Sequence, residues 1–249
     1  MENSKPKYIA SCSFGKDSIA TILIALERGE PVNEAVYCEV MFDSKTSAEI
    51  PEHRDFIYST AIPFIERAGI PVIVVRPEKT MKDFFYQKRG EKSKYCGKML
   101  GFPMVGRCEL NGSAKVKAIK AYWKRQPPGS MQYLGIAADE PRRLARMKPN
   151  SISLLQKYRI TESAAYELCK KAGLLSPIYQ FTTRNGCFFC PNSRESELRH
   201  LRDHHPELWN ELLDMSRTEN IIRRNFRVEE SLLEIEERFL LEDCQMTLF

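Results

Sequence analysis

At 249 residues, 43% hydrophobic and 29% charged, the chain can bury a full core and lies outside the composition of disordered, collagenous or disulfide-stapled proteins. The formal net charge of +5 suits phosphate-rich ligands without by itself marking a nucleic-acid binder. Residues 1–7 lack the apolar run of an export signal, and no later stretch approaches the about 18 apolar residues of a membrane span. A cytoplasmic protein with no membrane partner is therefore expected, its eight cysteines free, catalytic or metal-bound rather than paired.

Residues 8–13 read as a short buried strand. From Ser18 the positions Ile19, Ile22, Leu23 and Leu26 recur at helical spacing, and Gly29 stands where a helix ends. Residues 34–43 form a second strand candidate, 52–68 a helix stopped by Gly69, and 71–76 a third strand. Residues 80–112 read as a long loop with a broken helix. Residues 131–136 are the next strand, ending in Ala137, Ala138, Asp139 and Glu140. Thr161 can cap a helix running to Lys171 and closed by Gly173; a loop with two cysteines and amphipathic helices over 195–215 and 228–242 follow.

Strands interleaved with helices predict an α/β fold, a doubly wound parallel sheet, with a helical, cysteine-containing C-terminal portion. The expected division is an α/β nucleotide-binding domain over 1–150 and a helical portion over 151–249. Ligands of such sheets bind beyond the carboxyl ends of the strands, which is where Ser13 and Asp43 are expected. Two basic clusters, Lys115, Lys117, Lys120, Lys124 and Arg125, and Arg142, Arg143, Arg146 and Lys148, read either as solvated helix faces or as phosphate-binding surface.

Ser13-Phe14-Gly15-Lys16-Asp17-Ser18 falls between the first strand and the first helix, where unpaired amides and the helix dipole favour an anion. Gly15 admits a phosphate to the backbone, Ser13 and Ser18 offer hydroxyls, and Lys16 offers a point charge. Asp17 fits as a helix cap or a partner of Mg²⁺. The pattern is not a Walker A loop, which would need glycine at Ala10 and a hydroxyl at Asp17.

This loop instead resembles the Ser-x-Gly-x-Asp-Ser loop of the PP-loop, or N-type, ATP pyrophosphatases, whose fold is that of the adenine nucleotide alpha-hydrolases. Further segments resemble the phosphoadenosine phosphosulfate reductase branch: Phe42-Asp43, Glu49-Ile50-Pro51-Glu52, Gly135 through Arg143, Arg107-Cys108 followed by Lys115 and Lys117, and the run Asn185 to Asn192. Ala137 and Pro141 stand where that family has arginine and serine. The resemblance implies an ATP or sulfated-nucleotide (PAPS or APS) site in which Ser13, Gly15, Lys16, Asp17 and Ser18 hold phosphates. Asp43 would lie near the adenosine or its Mg²⁺, Arg142 and Arg143 would complete the anion clamp, and Phe14, Asp139 and Glu140 would accompany them.

Cys187-x-x-Cys190 has the spacing of two thiolates on one metal, or of a dithiol redox pair. The resemblance implies Cys108 as a third ligand, and Cys96, twelve positions earlier in the same irregular stretch, is the choice for a fourth. Four thiolates suit Zn²⁺ or an iron-sulfur cluster, and thiolating relatives tilt the expectation to [4Fe-4S]. Cys187, Cys190, His200 and His204 form a competing two-Cys, two-His zinc pattern, and Cys12 and Cys38 read as buried small hydrophobes.

The resemblance implies adenylation of a substrate with pyrophosphate release, followed by sulfur delivery from the metal or iron-sulfur centre, with a sulfur donor protein as a further partner and tRNA or DNA as acceptor. Reduction of a sulfated nucleotide by Cys244 and a non-catalytic, metal-stabilised nucleotide or nucleic-acid binder are the alternatives.

Overall fold

The computed structural model describes residues 5–106 and 108–246. In chain order it contains β1 (Tyr8–Ser11), α1 (Lys16–Arg28), β2 (Glu34–Cys38), α2 (Pro51–Phe56), a π-helical segment (Ile57–Ala61), α3 (Ile62–Arg67), β3 (Val72–Val75), α4 (Met81–Phe85) and β4 (Met99–Gly101). A second π-helical segment (Asn111–Val116), α5 (Lys117–Trp123), β5 (Met131–Leu134), α6 (Pro141–Leu144), β6 (Ser151–Ile152), α7 (Leu154–Lys157), α8 (Glu162–Lys171) and a 3₁₀ turn (Pro177–Gln180) follow. The last elements are α9 (Glu195–His204), α10 (Pro206–Ser216), β7 (Ile221–Arg223) and α11 (Leu232–Met246). No helix among the described residues is long and apolar enough to cross a membrane.

Two compact units are interleaved along the chain, unit 1 comprising residues 1–39, 51–76 and 118–185 and unit 2 comprising 40–50, 77–117 and 186–249. The expected boundary at residue 150 falls inside unit 1, where β6 pairs with β5 at the edge of the sheet.

Unit 1 is built on a five-stranded sheet of order β3-β2-β1-β5-β6, every pair parallel. Alternation along β1 and β2 sends Ala10, Ala35 and Tyr37 to one face, against α1, α8 and the helical stretch 51–67, and sends Ile9 and Val36 to the other, against Ile119, Tyr122 and Trp123 of α5. Helices on both faces explain why the strands read as apolar runs. The second strand stops at Cys38, short of the predicted 43, since its last partner, Val75, receives the amide of Glu39.

In unit 2, β4 and β7 form a parallel pair, and Phe85, Phe102 and Phe226 meet edge to face at 5.0 and 5.2 Å. The predicted helix over 195–215 is two helices, broken where Pro206 begins α10.

Candidate functional site

The loop of residues 13–18 leaves β1, the central strand, at its carboxyl end. Phe14 adopts φ 58°, a left-handed conformation unusual for a residue with a side chain, and its ring is fully buried edge-on to Tyr37 at 5.0 Å. That burial offsets the backbone strain and places the Phe14 ring in the core. Gly15 caps α1 with its carbonyl, which receives the amides of Ser18 and Ile19 at 3.1 Å and the Ser18 hydroxyl at 2.9 Å. The Ser18 oxygen also accepts the Ser13 amide at 3.3 Å, so this serine is buried and shapes the loop rather than standing at an exposed edge.

A cavity of about 420 Å³ opens at the loop. Ser13, Gly15, Lys16, Asp17 and Ser18 line it with Gly135 and Ile136 from the end of β5, Arg143, Glu162, and Tyr179, Thr183, Arg184 and Asn185 from the segment after α8. Gly135 is needed for this approach: a Cβ there would lie 2.6 Å from the Ser18 nitrogen and 2.7 Å from the Asp17 carbonyl carbon. Asn185 closes the loop from above, its Nδ2 donating to the Ser13 carbonyl at 3.0 Å.

Charges in the cavity are cross-paired. The Lys16 ammonium contacts Asp17 at 2.8 Å and Glu162 at 3.0 Å; burial opposes its charge, but the two carboxylates prevail and raise its pKa. Burial likewise pushes the Asp17 carboxyl up, more than Lys16 pulls it down. Oxygens of Asp17, Glu140 and Glu162 lie within 4.8 Å of one another. Glu140 grips Arg143 at 2.6 Å and accepts the Ala137 amide at 3.1 Å, while Asp139 accepts the Glu162 amide at 3.0 Å. Of the two predicted clamp arginines only Arg143 lines the cavity; Arg142 is exposed on α6.

Asp43 belongs to unit 2 and closes a turn of its own. Burial works against its carboxylate, but the amides of Lys45 and Thr46 and the Lys82 ammonium outweigh it and bring the pKa down to about 2. It is not among the residues lining the cavity.

The segment after α8 escaped the sequence reading. Tyr179, Thr183 and Arg184 lie over 160 positions from the 13–18 loop with no fixed spacing to it, and Asn185 alone fell within a recognised run. Glu162 was legible only as the first residue after a helix cap.

The thiols gather in unit 2. Cys187 bridges Glu49, the Phe188 amide donates to the Ala48 carbonyl at 2.9 Å, and Phe188 and Phe189 lock against Phe42 at 5.0 and 5.6 Å. Two consecutive turns then present Cys190, with the Cys190 amide on the Cys187 carbonyl at 3.0 Å and the Ser193 amide on the Cys190 carbonyl at 2.9 Å. Asn192 joins this loop to the Cys108 segment, with Nδ2 at 3.9 Å from the Cys190 sulfur and Oδ1 accepting the Gly106 amide at 2.8 Å. Burial and then the neighbouring Glu49 and Cys190 hold the Cys187 thiol well above its ordinary pKa, with Cys108 adding to the effect. Burial also raises Cys108, which feels Cys190. Two thiols that resist ionisation, Cys187 and Cys108, beside the Cys190 sulfur and a carboxylate, form a donor set that a cation would stabilise.

Cys96 sits in an exposed turn, and among the described residues nothing links it to the other three. Arg107, which precedes Cys108 in the recognised segment, lies outside the described residues. His200 and His204 stack on each other at 4.3 Å, and among the described residues no trio of potential ligand atoms within 4.8 Å joins them to a cysteine, which opposes the two-Cys, two-His pattern. Cys12 and Cys38 are buried.

No protein-family model and no curated protein matches the sequence. Among solved structures, the U34-tRNA thiolase NcsA from Methanococcus maripaludis, determined with its [4Fe-4S] cluster, aligns over 86% of this chain and 68% of that one, at 16% identity and a TM-score of 0.42. A likeness this loose carries no argument about the present chain.

Proposed function

We propose that this chain is a PP-loop enzyme that binds Mg²⁺-ATP in the unit 1 cavity and transfers the adenylyl group to an acceptor as the activating step of a sulfur transfer. The observation that carries the reading is the cavity at the carboxyl end of β1, lined by a helix N-terminus, three cations and the carboxylates of Asp17 and Glu162, with Glu140 within 4.8 Å of both. Phosphates would take Lys16, Arg143 and Arg184; Asp17, Glu140 and Glu162, released from those cations, would take Mg²⁺. An acceptor oxygen attacks the α-phosphorus, the bond to the bridging oxygen breaks, and pyrophosphate leaves with the electron pair. Lys16, Arg143 and Arg184 would neutralise the charge that builds on the phosphoryl oxygens in the transition state, and Mg²⁺ held by the three carboxylates would supply further positive charge there.

Cys108, Cys187 and Cys190 would hold a [4Fe-4S] cluster, which when bound supplies sulfur or electron chemistry that side chains lack. Their all-thiol donor set suits a soft metal centre, an iron-sulfur cluster or Zn²⁺.

A tRNA or DNA acceptor is supported by the exposed Lys117, Lys120, Lys124 and Arg125, which suit backbone phosphates. Reduction of a sulfated nucleotide is supported less, because Cys244 lies within α11 rather than on a tail. Pyrophosphate release from ATP with tRNA or DNA fragments tests the reading, Lys16→Ala serving as the inactive control. ATP binding without pyrophosphate would point to a non-catalytic binder, and absence of ATP binding would overturn the assignment.

A further inference from the structure

At the start of α1 the Lys16 amide is one of the donors that has no partner within its helix, and in an anion-binding helix end such an amide points at the ligand. Here it donates instead to the Tyr179 hydroxyl at 2.9 Å, and Tyr179 lines the cavity. A phenol that accepts one hydrogen bond still has a proton to give, and among the described residues no group accepts it. Burial raises the pKa of this phenol despite the amide's opposing pull, so the proton is retained at neutral pH. An N–H bonded to the oxygen polarises the O–H and strengthens its donation.

The ring is held before any ligand arrives. Pro177 opens the short 3₁₀ turn that carries it, Ser176 at the head of that turn meets Nδ1 of the buried His53 at 2.9 Å, and Tyr166 abuts the ring edge-on at 6.1 Å. Lys16 must leave Asp17 and Glu162 to meet a phosphate, whereas Tyr179 has no acceptor among the described residues to abandon.

We propose that Tyr179 is a phosphate-binding residue of this site, its hydroxyl donating to the polyphosphate so that the Lys16 amide acts on the ligand through the phenol. The proposal rests on the reading of the cavity as an ATP site. A neutral donor of this kind recognises phosphate oxygens and contributes nothing to an adenosine without them.

The test is titration calorimetry of ATP, inorganic triphosphate and adenosine against the full chain and Tyr179→Phe. ATP and triphosphate affinity should fall about tenfold, the scale of a lost hydrogen bond to a charged group, with adenosine affinity unchanged. Equal or tighter ATP binding by the variant would overturn the proposal, because the phenol would then be filling a place a phosphate could use. An equal loss for adenosine would also overturn it, by making the ring a base contact.

A ring-fluorinated tyrosine at position 179 keeps the shape while bringing phenol ionisation nearer neutrality. ATP affinity should then drop as pH rises through that ionisation, a break the unmodified chain lacks; a flat profile refutes the donor role. If the unmodified chain binds neither ATP nor triphosphate, it is the ATP reading that fails, and this proposal with it.

Discussion

Replacing Gly15 with alanine probes the loop's closure directly. The backbone there, φ −72° and ψ 161°, is open to any residue, so the cost is steric and not conformational. A Cβ would meet Asn185 Oδ1 at 2.8 Å, Cγ at 3.0 Å and Nδ2 at 3.2 Å. Asn185 must retreat by roughly half an ångström, which stretches its 3.0 Å bond to the Ser13 carbonyl toward the limit of a hydrogen bond. Overpacking and the weakened bond together should cost about 1–3 kcal/mol, a fall of roughly 2–4 °C in Tm per kcal/mol for a chain of this size.

Urea unfolding and ATP calorimetry on Gly15→Ala, Asn185→Ala and the double variant separate the causes. Asn185→Ala alone should lose about 1 kcal/mol with its hydrogen bond, and the double variant should cost little more, since the space for the methyl is already open. ATP affinity should drop about tenfold or more in Gly15→Ala because the shifted loop misaligns its donors, and recover partly in the double variant. Additivity within about 0.5 kcal/mol, or full ATP affinity in Gly15→Ala, would refute the argument.

Gly135→Ala should be harsher, since its methyl meets the backbone of α1 and not a side chain; expected are a loss of about 3 kcal/mol and of ATP binding, checked by the same measurements. His53 supplies a pH dependence. Burial lowers its pKa from 6.5 to about 4, so its contribution to stability is fully present above pH 6.5 and is lost as pH falls through about 4. That linkage amounts to about 3 kcal/mol in full, and urea midpoints measured from pH 7.5 downward should show it, with His53→Asn flattening the slope. Protein purified without oxygen should be brown and contain iron, and Cys187→Ala should remove both while leaving ATP affinity within twofold; a colourless preparation with stoichiometric zinc would sink the cluster.

The local signals were strong where one segment settles its own structure. The apolar run of β1, the glycine-serine loop and the periodicity of α1 announced a strand, a turn and a helix in sequence, because each depends on neighbours within a few positions. Gly29 and Gly69 end their helices with positive φ, as punctuation alone implied, and Thr161 caps α8 through the Ala164 amide. Alternating strands and helices likewise implied the parallel sheet, since only crossover helices can return a chain to pair in parallel.

What packing decided is the content of the site. Tyr179, Arg184 and Asn185 reach the loop only because α8 packs on α1, and no periodicity in one chain reports which distant loop will land on which helix start. The same reason moved Phe14 into the core, set Asp43 into a turn of its own and left Cys96 apart from the three gathered thiols. Chemistry-bearing residue types are visible in a sequence; which of them share a few ångströms is fixed by burial of the apolar faces between them, a long-range outcome that local pattern does not encode.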